Sequence, residues 1–136
     1  MKTALLASRQ LTDETHYERI VSALATLGTT ELLHGAEGAG KLHAERWAAE
    51  TGNSETGYSP NWKEHGKAAG PIRGKELVAA ADNVVALWDG KSKGTENELR
   101  EARRQGKRII LLEAVEMDGG FLVWTRKLTY DIPATH

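Results

Sequence analysis

Short apolar runs alternate with segments of helical period along most of the chain, and this alternation constrains the fold more than any other feature. Lys2–Ala7, Glu31–His34, Asn83–Trp88 and Lys107–Glu113 are strand-length, and the last two are apolar enough to be covered on both faces. Behind the first run, Tyr17, Ile20, Val21, Leu24 and Leu27 recur at helical spacing, with Thr12 and Asp13 placed to cap the start and Gly28 to close the end. A second helix is expected from about Leu42 to Glu50, stopped by Gly52. Pro71 suits the first turn of a third helix running to Ala81, because its fixed φ fits there and its missing N–H is not needed. Thr95–Gln105, ended by Gly106, is the fourth. Strands and helices in this order predict a Rossmann-like α/β fold, a mostly parallel sheet with helices on both faces.

The chain of 136 residues has the size of a single domain spanning 1–136, with a core from about residue 2 to 113. Residues 114–136 are expected to add an edge strand or hairpin around Phe121–Trp124 and a tail. Asn53–Lys67, rich in Gly, Ser, Asn and Pro, reads mainly as loop with a poor strand near Tyr58.

Composition removes several classes of function. With no cysteine the chain makes no disulfide, thiolate metal site or cysteine nucleophile, which suits a reducing, cytoplasmic setting. A formal charge of −1 with 27% charged residues gives no global field for nucleic acid or an anionic membrane. The apolar start is too short for a signal peptide, and no run approaches the roughly 20 residues of a membrane span. His34, His43 and His65 lack the spacing of a metal site, and neither a metal nor a cofactor is expected. No Gly-x-Ser-x-Gly elbow is present.

On a parallel sheet ligands bind beyond the carboxyl ends of the strands, where this sequence places two glycine-bearing strand-to-helix loops. The first, Gly35-Ala36-Glu37-Gly38-Ala39-Gly40-Lys41, matches the Gly-x-x-x-x-Gly-Lys string of phosphate-binding loops, and Val84–Asp89 resembles the strand that accompanies it. Leu42 stands where the magnesium-binding hydroxyl belongs, which argues against an NTPase. What remains is a turn whose backbone N–H groups and helix start can approach an anion, with Lys41 adding charge. A tight turn with a solvated lysine fits the same residues.

The second loop, Asp89–Gly94, opens the helix beginning Thr95-Glu96-Asn97-Glu98. Glu98 suits a base or a carboxylate facing positive charge, while Thr95-x-x-Glu98 is equally a capping box. Arg73, in the first turn of its helix, and Arg9, after the first strand, can grip phosphate or sit as solvated surface arginines. Trp62 and Trp88 can stack on a base, although tryptophan is more often buried packing.

Together these residues resemble the SLOG superfamily, and within it the YspA-type branch. Leu6-Ala7-Ser8-Arg9 with Asp13 is similar to that branch's first strand and Ser-Arg turn, and His34–Ala39 to its Gly-Ala-x-Gly-Ala loop. The run Trp62-x-x-His65-Gly66-Lys67-Ala68-Ala69-Gly70-Pro71-x-Arg73 is similar to its central signature, and the whole resemblance covers about Lys2 to Glu113. Relatives include the lonely-guy phosphoribohydrolases, which cleave the N-glycosidic bond of nucleoside monophosphates, and domains that sense ADP-ribose-derived signals. The resemblance implies a nucleotide or nucleotide-derived ligand held by Ser8, Arg9, Gly35, Ala36, Gly38, Lys41, Asp89, Gly94 and Thr95. It implies Arg73 as a group holding phosphate or orienting ribose, and Glu98 as a carboxylate stabilising an oxocarbenium-like centre or directing water. The alternatives are a phosphoribohydrolase and a non-catalytic interaction protein, and the resemblance adds an expected homodimer or higher homo-oligomer. Gly74 departs from the lysine that follows the arginine in those hydrolases, and Trp88-Asp89-Gly90 from their Pro-Gly-Gly.

Overall fold

The computed structural model describes the backbone of residues 1–116 and 122–130, with side chains as far as Ala114. The sheet runs β3-β2-β1-β4-β5-β6, where β1 is Lys2–Ala7, β2 Glu31–His34, β3 Ser54–Gly57, β4 Asn83–Trp88, β5 Arg108–Glu116 and β6 Leu122–Tyr130. Every neighbouring pair is parallel except β5 with β6. The helices are α1 (Glu14–Leu27), α2 (Gly38–Thr51), the four-residue α3 (Trp62–His65), α4 (Ala69–Ala80) and α5 (Lys93–Arg104). The Rossmann-like α/β architecture expected from the alternating pattern is therefore the observed one.

Period-two alternation along the strands divides the core into two layers. Leu5, Val85, Leu87, Ile110 and Leu112 face α1 and α2, where they meet Tyr17, Ile20, Leu24, Ala44 and Trp47. Their neighbours Ala4, Leu6, Val84, Ala86, Ile109 and Leu111 face α4 and α5 and pack on Leu77, Val78, Leu99 and Ala102. Both faces are thus covered, which explains why β4 is an almost unbroken apolar run.

Local chemistry sets the helix ends. The Asp13 side chain accepts the Thr15 N–H at the start of α1, and Gly28 closes it in the left-handed conformation at φ 65°. α2 starts at Gly38 rather than near Leu42, because Ala39 and Gly40 already belong to the buried face that continues through His43, Ala44 and Trp47. α5 starts at Lys93, so Thr95 lies inside the first turn and Ser92 is the N-cap. This overturns the capping-box reading of Thr95 and Glu98.

The segment 53–67 holds the poor strand expected near Tyr58, as β3 ending at Gly57, but is more helical than the loop expected. It supplies the edge strand β3, α3 and then a single 3-10 turn at Gly66–Ala68. β6 is longer than the Phe121–Trp124 strand expected and pairs antiparallel with β5. The expected turn around Asp118–Gly120 and the tail after 130 lie outside the described residues.

Strand order reverses between β1 and β4, since the chain moves outward through β2 and β3 on one side and through β5 on the other. At such a switch point the two loops diverge and leave a crevice at the carboxyl ends.

Candidate functional site

A cavity of about 300 Å³ occupies that crevice. The end of β1, the β2–α2 loop, Trp62, Arg73 and the first turns of α5 form its walls. A neighbouring cavity of about 350 Å³ lies between α4 and α5. Arg73, Gly94 and Glu98 line both.

Arg73 comes from α4 and is only 12% exposed along its side chain. Its Nη1 donates to the carbonyl oxygens of Gly35 at 2.5 Å and Tyr58 at 3.3 Å, and Nη2 reaches Glu37 Oε1 at 3.4 Å. Nε is buried with no hydrogen-bond partner. The guanidinium lies so close over Gly35 that a Cβ there would stand 2.5 Å from Nη1, which is why the residue that closes β2 is glycine.

Glu98 approaches from α5. Its side chain packs across Gly74, where an added Cβ would meet Glu98 Cγ at 3.2 Å and Oε2 at 3.3 Å. Among the described residues no group hydrogen-bonds its carboxyl. Burial pushes its pKa up, with the Arg73 charge pulling back and Glu37 adding to the rise. A half-buried carboxyl with raised proton affinity beside a fixed guanidinium can exchange a proton with a ligand or water.

The glycine loop is held by chemistry that the sequence did not reveal. Ala36 takes φ 62°, in the left-handed region unusual for a residue with a Cβ. Its N–H donates to His34 Nδ1 at 3.0 Å, so the His34 proton sits on Nε2 and points at Glu55. Gly38 is also left-handed at φ 59°, and a Cβ there would stand 3.1 Å from Arg9 Cα and Cβ. Between them, Glu37 directs its carboxylate outward to Arg9 Nη2 at 2.9 Å and to Arg73.

The second loop is tied to β1 through Ser8. Its Oγ accepts the Asp89 N–H at 3.2 Å and pairs with Thr95 Oγ1 at 3.2 Å. Asp89 Oδ1 accepts the Lys91 and Ser92 N–H groups at 2.8 Å and 2.7 Å. Burial works against ionisation there, but those donors hold the Asp89 carboxyl below its ordinary value.

Of the residues singled out in the sequence, Arg9, Gly35, Gly40, Arg73, Gly94, Thr95 and Glu98 line the cavity together. Ser8, Ala36, Gly38 and Asp89 shape the loops around it. Of the phosphate-loop string, Gly35 and Gly40 line the cavity, with Gly40 also seated close against β1 and β2, while Lys41 is exposed on α2 and does not line it. Trp88 donates its indole N–H to Ser92 O at 3.1 Å and braces the loop. Glu37 and Trp62 are the cavity residues missed or undervalued. Trp62 is 57% exposed, lines the cavity and lies beside Gly70, contrary to the expectation of buried packing. Among the described residues, no three metal-ligating side chains come together and no helix is long and apolar enough to cross a membrane.

No protein-family model matches the chain. Gene 61 protein of Mycobacterium phage D29 is 38% identical over an alignment of 84 residues, covering 56% of this chain and 65% of that protein, so the chain spans less than two thirds of that relative's length. The X-ray structure of TM1055, a Northeast Structural Genomics Consortium target, superposes with a TM-score of 0.57 at 18% identity. The match covers 79% of this chain and 71% of that one, and it extends the likeness to most of the α/β fold built around the crevice.

Proposed function

We propose that the protein binds a nucleotide or nucleotide-derived ligand, of the ADP-ribose kind, in the crevice between the ends of β1 and β4, as a SLOG domain of the YspA-like type. The observation that carries this reading is the convergence of Arg73 and Glu98, from two different helices, on one cavity at the strand-order switch point, with half-exposed Trp62 at its wall. A guanidinium suits phosphate, a carboxyl suits ribose hydroxyls, and an exposed indole gives a base a stacking face. Calorimetry with nucleoside mono- and diphosphates, adenosine and ADP-ribose tests it. Saturable binding of a phosphorylated member that Arg73→Ala weakens at least tenfold is the expected result. No binding at millimolar ligand removes the proposal.

Hydrolysis of the N-glycosidic bond is the second reading, favoured by the raised proton affinity of the unpartnered Glu98 carboxyl. In that reaction Glu98 takes a proton from water as the water oxygen bonds to the ribose C1′, the bond from C1′ to the base nitrogen breaks, and the proton passes to the departing base. Arg73 holds the phosphate meanwhile. Release of free base by the wild type and its loss in Glu98→Gln is the expected outcome; equal release by both excludes the role.

A further inference from the structure

The cavity already contains an anion bound to its arginines. Glu37 precedes α2 as its N-cap, yet its side chain makes no cap hydrogen bond and instead reaches away from the helix. Glutamate is a weak N-cap, so helix capping does not explain its presence there. Its two oxygens are divided between Arg9, at 2.9 Å, and Arg73, at 3.4 Å. We infer that the Glu37 carboxylate occupies the subsite of a ligand's phosphate, and that a phosphate monoester binds by displacing it from Arg9 and Arg73. This rests on the nucleotide-binding reading of the cavity and adds where the phosphate goes and which group competes with it.

The three partners are unequally fixed. Arg73 is anchored by two backbone carbonyls, contacts that do not involve Glu37. Its contact with Glu37 is long for a charged hydrogen bond, so the anchored guanidinium is incompletely satisfied. Arg9 is 71% exposed, and an ion pair that open to water is easily exchanged. A phosphate dianion offers more acceptor oxygens and more charge than the carboxylate, and can span both guanidinia at once. The cavity's lining arginines, Arg9 and Arg73, are balanced in number by Glu37 and Glu98. Releasing Glu37 therefore makes the cavity more positive by one charge, only when an anionic ligand is present. A neutral nucleoside gains nothing from the release, so Glu37 discriminates between phosphorylated and unphosphorylated forms.

The test titrates inorganic phosphate, AMP and adenosine into wild type, Glu37→Gln and Glu37→Ala, following the arginine side-chain N–H signals by NMR, with thermal melting to verify folding. Both substitutions are expected to tighten phosphate and AMP binding by about two- to fivefold, the order of an exposed ion pair, and to leave adenosine unchanged. Arg9→Ala is expected to weaken phosphate binding and to reduce the gain produced by Glu37→Gln. Unchanged or weaker phosphate binding in folded Glu37→Gln and Glu37→Ala overturns the inference, as does a loss of AMP and adenosine alike, which would make Glu37 a ribose contact. If phosphate binding tightens while no nucleotide binds any of the proteins, the nucleotide reading falls and the anion subsite stands.

Discussion

At the scale of single residues, the site depends on close approaches that only glycine permits. Gly35 lies under the Arg73 guanidinium, and Gly35→Ala must push that group aside by about an ångström to reach ordinary contact. Because the obstacle is the end of a long side chain, folding should survive at a cost of about 1 kcal/mol, while affinity for an anionic ligand falls at least tenfold. Thermal melting and calorimetry on the one variant separate the two effects. Arg73, Glu98 and the glycine loop were singled out in the sequence by their places at strand and helix ends and by the family resemblance, although a surface arginine, a helix cap and a tight turn fitted the same residues. Glu37 was not, since an acidic residue at a helix start is ordinary until two arginines, one 28 and one 36 positions away, are seen to converge on it. Whether Thr95 and Glu98 made a cap or faced a cleft turned on where α5 begins, and a two-residue shift of that boundary moved Thr95 into the interior.

Between elements, the decisive contact is the one α4 makes with α5. Gly74 lets the Glu98 side chain lie directly on α4, so Gly74→Ala has to separate the helices or turn the carboxyl by a few tenths of an ångström. The alanine gains about 1 kcal/mol of helix propensity against a strain of similar size, so the melting temperature is expected to change little while the Glu98 titration is altered. The carboxyl itself carries a stability cost. Its pKa is raised in the folded state, so the native protein holds a proton that the unfolded chain releases, and stability falls as pH rises from about 4.5 through the folded value. Glu98→Gln should therefore melt at a higher temperature than wild type at neutral pH, with the difference shrinking toward pH 4. β1, β2 and β4 had the bounds the sequence suggested because buried apolar runs end sharply. The first turns of α2 and α5 contain Gly38, Gly40 and Gly94, residues that resemble loop until packing selects them. β3 showed only as a poor strand near Tyr58 and α3 escaped, because both are largely solvent-facing, with no apolar period to reveal them.

For the whole molecule, the two-layer architecture follows from the strand alternation, but it buries titratable groups that the pattern does not advertise. His16 and His43 lie inside the α1–α2 layer, and burial holds both below the ordinary histidine pKa, with the Leu11 carbonyl pulling partly back. The unfolded chain then binds protons that the native state does not, so stability is lost as pH falls through about 6.5. Melting temperatures are expected to drop between pH 7.5 and 5.5, and replacing His43 with Gln should flatten that slope. The central position of β1 has one more consequence, for how the molecule comes into being. Its Lys2 N–H bonds Asp82 across 80 positions of chain, and its ladder partner β4 begins at Asn83. A contact so distant in sequence is slow to form, and during synthesis β1 has to wait with one edge unpaired until β4 leaves the ribosome. Glu98 emerges later still, so a ligand that needs the complete crevice can bind only after the sheet has closed around β1, and occupancy would mark finished molecules from nascent ones.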